Sequence, residues 1–295
     1  MKPSYIDIHP HVISDDEKAY PHAPMFGVKS GWSDERHTPI EGLVKSMDEA
    51  GVGKAAIVQA STCYGYDNSY VCDAIAAYPG RFVAVGSVDL MDESAPATIR
   101  NWVKRGLSGL RLFTGGSTQA FDNSKLDDRG AFAAWKVCAD MGLPICLQTV
   151  PSGHAQIAGM AKRFPNVKIV LDHLSRPEVD DGPPYTKAAS LFALSAFDNI
   201  YLKLTPRAVR EAKIGSASAD TFFPKLVSEF GAERIAWGSN FPATKGSLKQ
   251  HLEEMKVALS ALTVNDKDAI FFRTAQIIYP ALSETRQLLE EAIWQ

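Results

Sequence analysis

Eight short apolar runs alternate with amphipathic segments along this chain, and this alternation limits its fold more than any other feature. The runs are rich in β-branched residues and predict strands at 5–9, 54–59, 82–88, 109–113, 144–148, 167–171, 200–204 and 235–237. The segments between them predict helices at 39–50, 70–78, 95–104, 131–141, 155–164, 188–197 and 222–230. Apolar strands joined by helical crossovers are typical of a parallel sheet that is covered on both faces.

Eight such repeats predict an α/β protein, a distorted (β/α)8 TIM barrel that forms one domain over residues 1–295. Helices predicted at 248–262, 267–272 and 282–293 follow the barrel. A doubly wound open sheet is the alternative. It is less favoured because a dinucleotide fold needs a glycine-rich phosphate loop after its first strand, and the sequence has none there.

The net charge and the cysteines of the chain indicate which partners and which cellular compartment to expect. The formal net charge of -3 argues against nucleic acid or an acidic membrane surface as a partner. No apolar run approaches the roughly 18 residues of a membrane span. The four cysteines contain no CxxC pair, which fits reduced thiols and a cytoplasmic location.

Two histidines, His9 and His11, close the first predicted strand on either side of a proline. Side chains two residues apart on a strand share a face, so both imidazoles should converge at the carboxyl end of the strand. Buried imidazoles in such a position bind a metal, move a proton or polarise a carbonyl.

Other polar side chains also stand where predicted strands end, which is the edge that carries the chemistry of a barrel. They are Ser61, Arg111, Gln148, His173, Arg176, Lys203, Arg207 and Asn240. In addition, the long segment 15–38 follows the first strand, and we expect it to cover this mouth.

Three arginines near one mouth, at positions 111, 176 and 207, predict a small anionic substrate. For Arg111 and Lys203 the alternative is a structural ion pair with Asp172. For Arg207 the alternative is a solvated loop position. The sequence leaves these alternatives open.

Three motifs together resemble the amidohydrolase superfamily, in particular its amidohydrolase 2 branch of lactonases. They are His-x-His at 9–11, Leu-Asp-His-Leu-Ser-Arg-Pro at 171–177 and Trp-Gly-Ser-Asn-Phe-Pro at 237–242, within a likeness that runs from residue 6 to about 282. The resemblance implies a distorted barrel that hydrolyses a lactone or a related ester or amide.

The resemblance also implies roles for individual residues. His9, His11 and His173 match the site histidines, which would be the ligands of a single zinc if a metal were present. Gln148 takes a position that is a histidine ligand in metal-dependent relatives, and no bridging lysine or glutamate accompanies Arg111. We therefore expect no required metal, no other cofactor and no binuclear site.

The resemblance further implies that Arg111 and Arg176 hold a substrate carboxylate and that Ser61 contacts the substrate. Asn240 departs from the pattern, because hydrolytic members usually have an aspartate there as general base. An amide cannot take a proton from water. Asn240 is therefore an engineered replacement, a natural variant in which His9 or His173 is the base, or the mark of a lactone isomerase.

The predicted function is hydrolysis of a carboxylated lactone by His9, His11, His173 and Asn240, with Gln148, Lys203 and Arg207 as further substrate contacts. A lactone isomerase, a metal-dependent decarboxylase and a carboxylate-binding barrel without catalysis are the alternatives. The predicted tail helix 282–293 would suit a homodimer as well as a cap on the barrel.

Overall fold

Eight parallel strands in sequential order build the sheet of this protein, for which a computed structural model describes residues 5–283. Each strand pairs in parallel with the next along the chain. The strands are β1 (Tyr5–Asp7), β2 (Val52–Val58), β3 (Phe82–Gly86), β4 (Leu107–Phe113), β5 (Ile145–Gln148), β6 (Ile169–Leu171), β7 (Ile200–Leu204) and β8 (Ile235–Trp237).

The sheet closes into a barrel, because the backbone N–H of Ile8 donates to the carbonyl of Trp237 at 3.1 Å and joins the first strand to the last. This confirms the predicted (β/α)8 TIM barrel. The open-sheet alternative is wrong, since a doubly wound sheet reverses its strand order and this one does not.

Thirteen α-helices lie between and after the strands in the described part of the chain. They are α1 (Trp32–Glu35), α2 (Ile40–Ala50), α3 (Ser61–Tyr64), α4 (Ser69–Ala76), α5 (Ala95–Lys104), α6 (Phe132–Met141), α7 (His154–Arg163), α8 (Ala189–Ala193), α9 (Pro206–Glu211), α10 (Ala219–Phe230), α11 (Leu248–Ala258), α12 (Val264–Asp268) and α13 (Thr274–Ile278). None of these helices is long and apolar enough to cross a membrane.

Apolar side chains on the two faces of the strands form two separate cores. The larger core packs strands against the surrounding helices. The smaller one fills the barrel with Ile6, Val58, Val85 and other strand residues, and Tyr279 after α13 packs against it. Its hydroxyl lies 3.3 Å from the thiol of the buried Cys146. The cavity that polar side chains line therefore lies at the carboxyl ends of the strands, beyond this apolar core.

Most predicted boundaries agree with the structure to within two residues, but some predictions need correction. The helix predicted at 248–262 ends at Ala258. The helix predicted at 188–197 is continuous only over Ala189–Ala193, and two 3-10 turns flank it. The helix Pro206–Glu211 after β7 was not predicted. The segment 267–272 joins the end of α12 to a π-helical turn, Ala269–Arg273. The tail helix predicted at 282–293 lies almost entirely outside the described residues.

Candidate active site

A cavity of about 210 Å³ opens at the carboxyl ends of the strands, and most of the predicted site residues meet there. Its lining consists of His11, Trp32, Ala60, Ser61, Thr62, Arg111, Phe113, Ser117, Gln148, His173, Arg176, Asn240 and Ala243. Two guanidinium groups but no carboxylate stand among these described lining residues. The cavity therefore presents a positive surface that suits an anionic ligand.

His9 and His11 lie just beyond β1, because the strand ends two residues earlier than the sequence predicts. The Oδ1 atom of Asp7 accepts from the backbone N–H groups of His9 and Ser239, both at 2.9 Å, and Pro10 has no N–H to donate. Burial raises the pKa of Asp7 to about 6. This carboxyl thus ties the end of β1 to the segment after β8 and fixes where the histidines begin.

The imidazole of His11 carries its proton on Nδ1, because that atom lies 2.7 Å from the carbonyl oxygen of Val58, which can only accept. In the neutral ring the lone pair is then on Nε2, 3.4 Å from the Asn240 side-chain oxygen. Burial, with a contribution from the guanidinium of Arg111, lowers the pKa of His11 to about 4. His11 is therefore neutral at pH 7 and presents a basic nitrogen.

His9 lies behind the cavity wall, between the other two site histidines. Its ring centroid is 4.9 Å from that of His11 and 5.0 Å from that of His173. Its Nδ1 is 3.5 Å from Asp172 Oδ1. Burial, together with the charge of Lys203, lowers the pKa of His9 well below its ordinary value. His9 is neutral and has no direct access to a ligand in the cavity.

His173 belongs to a left-handed turn, which is rare for side chains with a Cβ. Residues His173, Leu174, Ser175 and Arg176 have φ angles of 54°, 55°, 57° and 55°. Each such residue costs about 1–2 kcal/mol relative to the right-handed conformation. The turn brings His173 and Arg176 to the same cavity, so the strained backbone places two of the predicted site residues.

Replacing Ser175 with glycine is expected to stabilise the fold by about 1 kcal/mol, because glycine adopts a positive φ without strain. The buried Ser175 hydroxyl also has no hydrogen-bond partner in the described part of the chain. Urea unfolding measures the gain. Ser175→Ala is the control, since it removes the hydroxyl but keeps the Cβ. Equal stability of the glycine and alanine variants would contradict strain in this turn.

The side chain of His173 has a different hydrogen-bond partner from that of His11. Its Nδ1 is 2.8 Å from the hydroxyl of Thr205, which can donate to it. When Thr205 donates, the ring proton is on Nε2. Burial lowers the pKa of His173 to about 3. In this state His173 is a neutral hydrogen-bond donor, opposite in role to His11.

A buried carboxylate, Asp172, joins the cationic groups beneath the cavity. Its Oδ2 accepts from Arg111 Nε at 2.8 Å, and its Oδ1 lies 2.8 Å from Lys203 Nζ. Burial by itself would raise its pKa, but the charges of Lys203 and Arg111 hold the pKa of Asp172 well below its usual range. The carboxylate is therefore ionised, and its ion pairs hold Lys203 and Arg111 in place.

Arg111 has both of the roles that the sequence left open, because it forms a structural ion pair with Asp172 and also lines the cavity. Its Nη2 donates to Oε1 of Gln148, whose amide donates to the Gly115 carbonyl at 2.9 Å. The guanidinium of Arg176 lies 4.7 Å from the ring centroid of Phe121. Burial, aided by Arg207, lowers the pKa of Arg176 to about 10, so it remains charged at pH 7.

Two of the predicted substrate contacts do not reach the cavity. Lys203 is fully buried and paired with Asp172, which is the structural alternative that the sequence left open. Arg207 is half exposed and pairs with Glu211 at 2.7 Å, and the two line a separate cleft to which Arg176 also contributes. Ser61 does reach the cavity, with its hydroxyl 2.7 Å from that of Ser87.

Trp32 is a cavity residue that the sequence did not single out. Its ring lies 5.4 Å from that of His11 at an interplanar angle of 31°. It comes from the segment 15–38, and Arg36 in the same segment donates to the Pro242 carbonyl at 3.1 Å. The prediction that this segment covers the mouth is confirmed. The sequence signal for Trp32 as a cavity residue was the presence of an aromatic side chain within that segment.

A (β/α)8 barrel with neutral imidazoles and guanidinium groups at its carboxyl edge is the arrangement of a barrel enzyme. The chain belongs to the amidohydrolase family, whose model matches residues 6–281.

Two characterised relatives are lactone hydrolases by name. The chain is 24% identical to L-fucono-1,5-lactonase of Burkholderia ambifaria over 68% of this chain and 68% of that protein. It is also 24% identical to 4-sulfomuconolactone hydrolase of Hydrogenophaga intermedia, over 82% of this chain and 76% of that protein.

Solved structures share the fold. One, described as a 2-pyrone-4,6-dicarboxylic acid hydrolase from Pseudomonas putida, superposes with a TM-score of 0.75 at 21% identity, covering 96% of this chain and 100% of that one. Another, an amidohydrolase from Burkholderia multivorans with bound zinc, gives a TM-score of 0.73 at 18% identity, covering 94% and 99%.

The donor set of the described residues does not match a metal site. No three His, Cys, Asp or Glu side chains within residues 5–283 are grouped so that they could hold one metal ion. Of the polar groups nearest the histidines, Asp172 is engaged by Lys203 and Arg111, and Gln148 is engaged by Arg111 and a backbone carbonyl. We therefore derive no catalytic step through a metal.

Proposed function

We propose that this protein hydrolyses a carboxylated lactone. The observation that carries the proposal is the cavity lining, in which Arg111 and Arg176 stand beside two neutral imidazoles of opposite polarity and no described lining residue is a carboxylate. The names of the relatives support the reaction class, because two of them are lactone hydrolases. One of these, the 4-sulfomuconolactone hydrolase, and the 2-pyrone-4,6-dicarboxylic acid hydrolase among the solved structures are named for anionic compounds.

The arginines hold the substrate carboxylate and thereby orient the lactone carbonyl. A guanidinium binds a carboxylate through two parallel hydrogen bonds, which fixes direction as well as position. His173, with its proton on Nε2, donates to the carbonyl oxygen as negative charge develops there. Such preorganised donors contribute about 3–4 kcal/mol each.

The Nε2 lone pair of His11 accepts the proton of the attacking water. This differs from the expectation of His9 or His173 as base, because His9 does not line the cavity and His173 Nδ1 is engaged by Thr205. Asn240 faces the same nitrogen and its amide donates to Thr244 at 2.9 Å, so it orients the water without titrating. The tetrahedral adduct then expels the ring oxygen, which recovers the proton from His11.

A lactone isomerase is the second candidate function, and Asn240 is the observation that favours it. In an isomerase, a hydroxyl group of the substrate replaces water as the nucleophile. His11 and His173 then have the same roles as in hydrolysis. The products separate the two reactions, because hydrolysis releases one acid equivalent per turnover and isomerisation releases none.

The function is tested with 2-pyrone-4,6-dicarboxylate as an anionic lactone and L-fucono-1,5-lactone as a neutral one, using chelator-treated protein with and without added zinc or manganese. We expect acid release from the anionic lactone at a higher kcat/KM. Arg176→Met should raise KM for the anionic lactone by roughly 10- to 100-fold. Arg163→Met on α7, which removes an arginine stacked on Phe132 instead, should not.

Each other outcome of this assay points to a specific alternative. Equal KM values for the two Arg variants would contradict the carboxylate clamp. Ring rearrangement without acid supports the isomerase. Carbon dioxide release that depends on the added metal supports a decarboxylase. Binding without turnover under every condition supports a carboxylate-binding barrel.

A further inference from the structure

A second cleft, of about 80 Å³ and partly open to solvent, lies beside the site cavity, and among the described residues the two linings share only Phe113. We propose that this cleft is a binding subsite for an uncharged alkyl or aryl substituent of the lactone. The inference rests on the proposed function, because it concerns the same substrate and the same mouth.

Phe113 forms the partition between the two spaces. It is the last residue of β4, two positions after Arg111, so both side chains point to the same side of the sheet. The guanidinium of Arg111 lies 5.1 Å from the Phe113 ring centroid, and the ring of Phe26 lies 6.0 Å from it. The ring of Phe113 therefore separates a substrate bound at Arg111 from the second cleft.

Apolar side chains form one part of the walls of the second cleft. Val88, Leu90 and Leu112 form its inner part, and the rings of Phe26 and Tyr66 form its outer part. Phe26 and Tyr66 are 41% and 45% exposed, so both rings are accessible to a ligand in the cleft. The lining comes from β4 and from the loops that follow each of the first four strands at the barrel mouth.

Charge distinguishes this cleft from the site cavity. Two carboxylates, Asp89 and Asp122, and one ammonium, Lys125, stand at its border. This net negative charge disfavours a second carboxylate of the substrate, whereas the site cavity carries two guanidinium groups. A lactone with a carboxylate at one end and an apolar arm at the other would therefore bind in one orientation.

The test compares a carboxylated γ-lactone with its analogue that bears an n-butyl chain on the carbon beside the carbonyl. Each fully buried methylene contributes about a fourfold gain in affinity. We expect kcat/KM to be about 10- to 100-fold higher for the butyl lactone. Val88→Phe, which fills the cleft, should abolish this preference and leave the unsubstituted lactone unaffected.

A second variant covers the case in which Val88→Phe does not fold. Phe26→Ala removes a half-exposed wall and should lower the butyl preference several-fold. Equal kcat/KM for the two lactones in the unmodified protein, or an undiminished preference in both variants, would overturn the subsite.

Binding of the two corresponding lactams, measured by calorimetry, separates the subsite from the reaction because the ring amides resist hydrolysis. If the butyl lactam binds more tightly to the unmodified protein than to the variants but neither lactone is hydrolysed, the subsite stands and the lactonase proposal fails. If the lactones are hydrolysed and the two lactams bind equally, the subsite fails and the lactonase proposal stands.

Discussion

Replacing His11 with asparagine is expected to lower kcat by about 10²- to 10⁴-fold, the usual contribution of a general base. Asparagine can place an amide N–H where Nδ1 lies and keep the bond to the Val58 carbonyl, but it has nothing in place of Nε2. The substitution therefore removes the basic nitrogen with little change in the local structure. Steady-state kinetics on the anionic test lactone, 2-pyrone-4,6-dicarboxylate, measures the effect.

His154→Asn is the matched control for His11→Asn. His154 is also buried, burial likewise lowers its pKa to about 4, and its Nδ1 bonds to a side-chain hydroxyl at 2.9 Å. It does not line the site cavity. We expect it to change stability but not kcat. If both variants lost activity equally, the loss would reflect destabilisation instead of a missing base.

The pH profile gives an independent view of the same group. Because the pKa of His11 is lowered to about 4, its basic form predominates above pH 4, and kcat/KM should fall only below that value. In Asn240→Asp, a carboxylate beside Nε2 favours the imidazolium. The acid limb of the profile should then move upward by roughly 1–3 pH units.

The Asn240→Asp variant also decides between His11 and position 240 as the site of water activation. An unshifted limb would contradict the proximity of the two side chains. Acid release by Asn240→Asp alone, with none from the unmodified protein, would make water activation at position 240 the missing step.

The barrel was predictable from the sequence because each strand is defined by its own apolar run. Strands β7 and β8 begin and end where the sequence predicts, at 200–204 and 235–237. The pairing of these strands follows from their order alone. Boundaries were less predictable where a side chain ends the strand, as Asp7 does for β1 through its bonds to His9 and Ser239.

The candidate site was only partly predictable, since residue type and strand order locate side chains at the mouth but do not decide their partners. Lys203 had two interpretations, and only its burial against Asp172 distinguishes them. The left-handed turn at His173 has no local signal, because leucine and serine do not favour positive φ. The proton positions on His11 and His173 depend on Val58 and Thr205, which are distant in sequence.

The buried cluster of Asp172, Lys203 and Arg111 leads to the largest expected effect on stability. Replacing Lys203 with methionine, or Asp172 with asparagine, is expected to cost about 3–5 kcal/mol, because each change leaves a buried charge without its partner. Both side chains are fully buried and their charged atoms lie 2.8 Å apart. Urea unfolding at pH 7 measures each cost.

The double variant Asp172→Asn/Lys203→Met should cost clearly less than the sum of the single variants, because the second change removes the charge that the first one stranded. The surface pair Lys136 and Asp140, one helical turn apart on α6, is the control and should show no measurable coupling. The low pKa of Asp172 adds a pH signature: its stabilising effect is complete above the pKa of about 4 of an unfolded aspartate and is lost as the pH falls towards the folded value. The unfolding free energy of Asp172→Asn should therefore lack this acid-dependent loss. Strict additivity of the two single variants would show that Lys203 does not stabilise the carboxylate that holds Arg111 at the edge of the site.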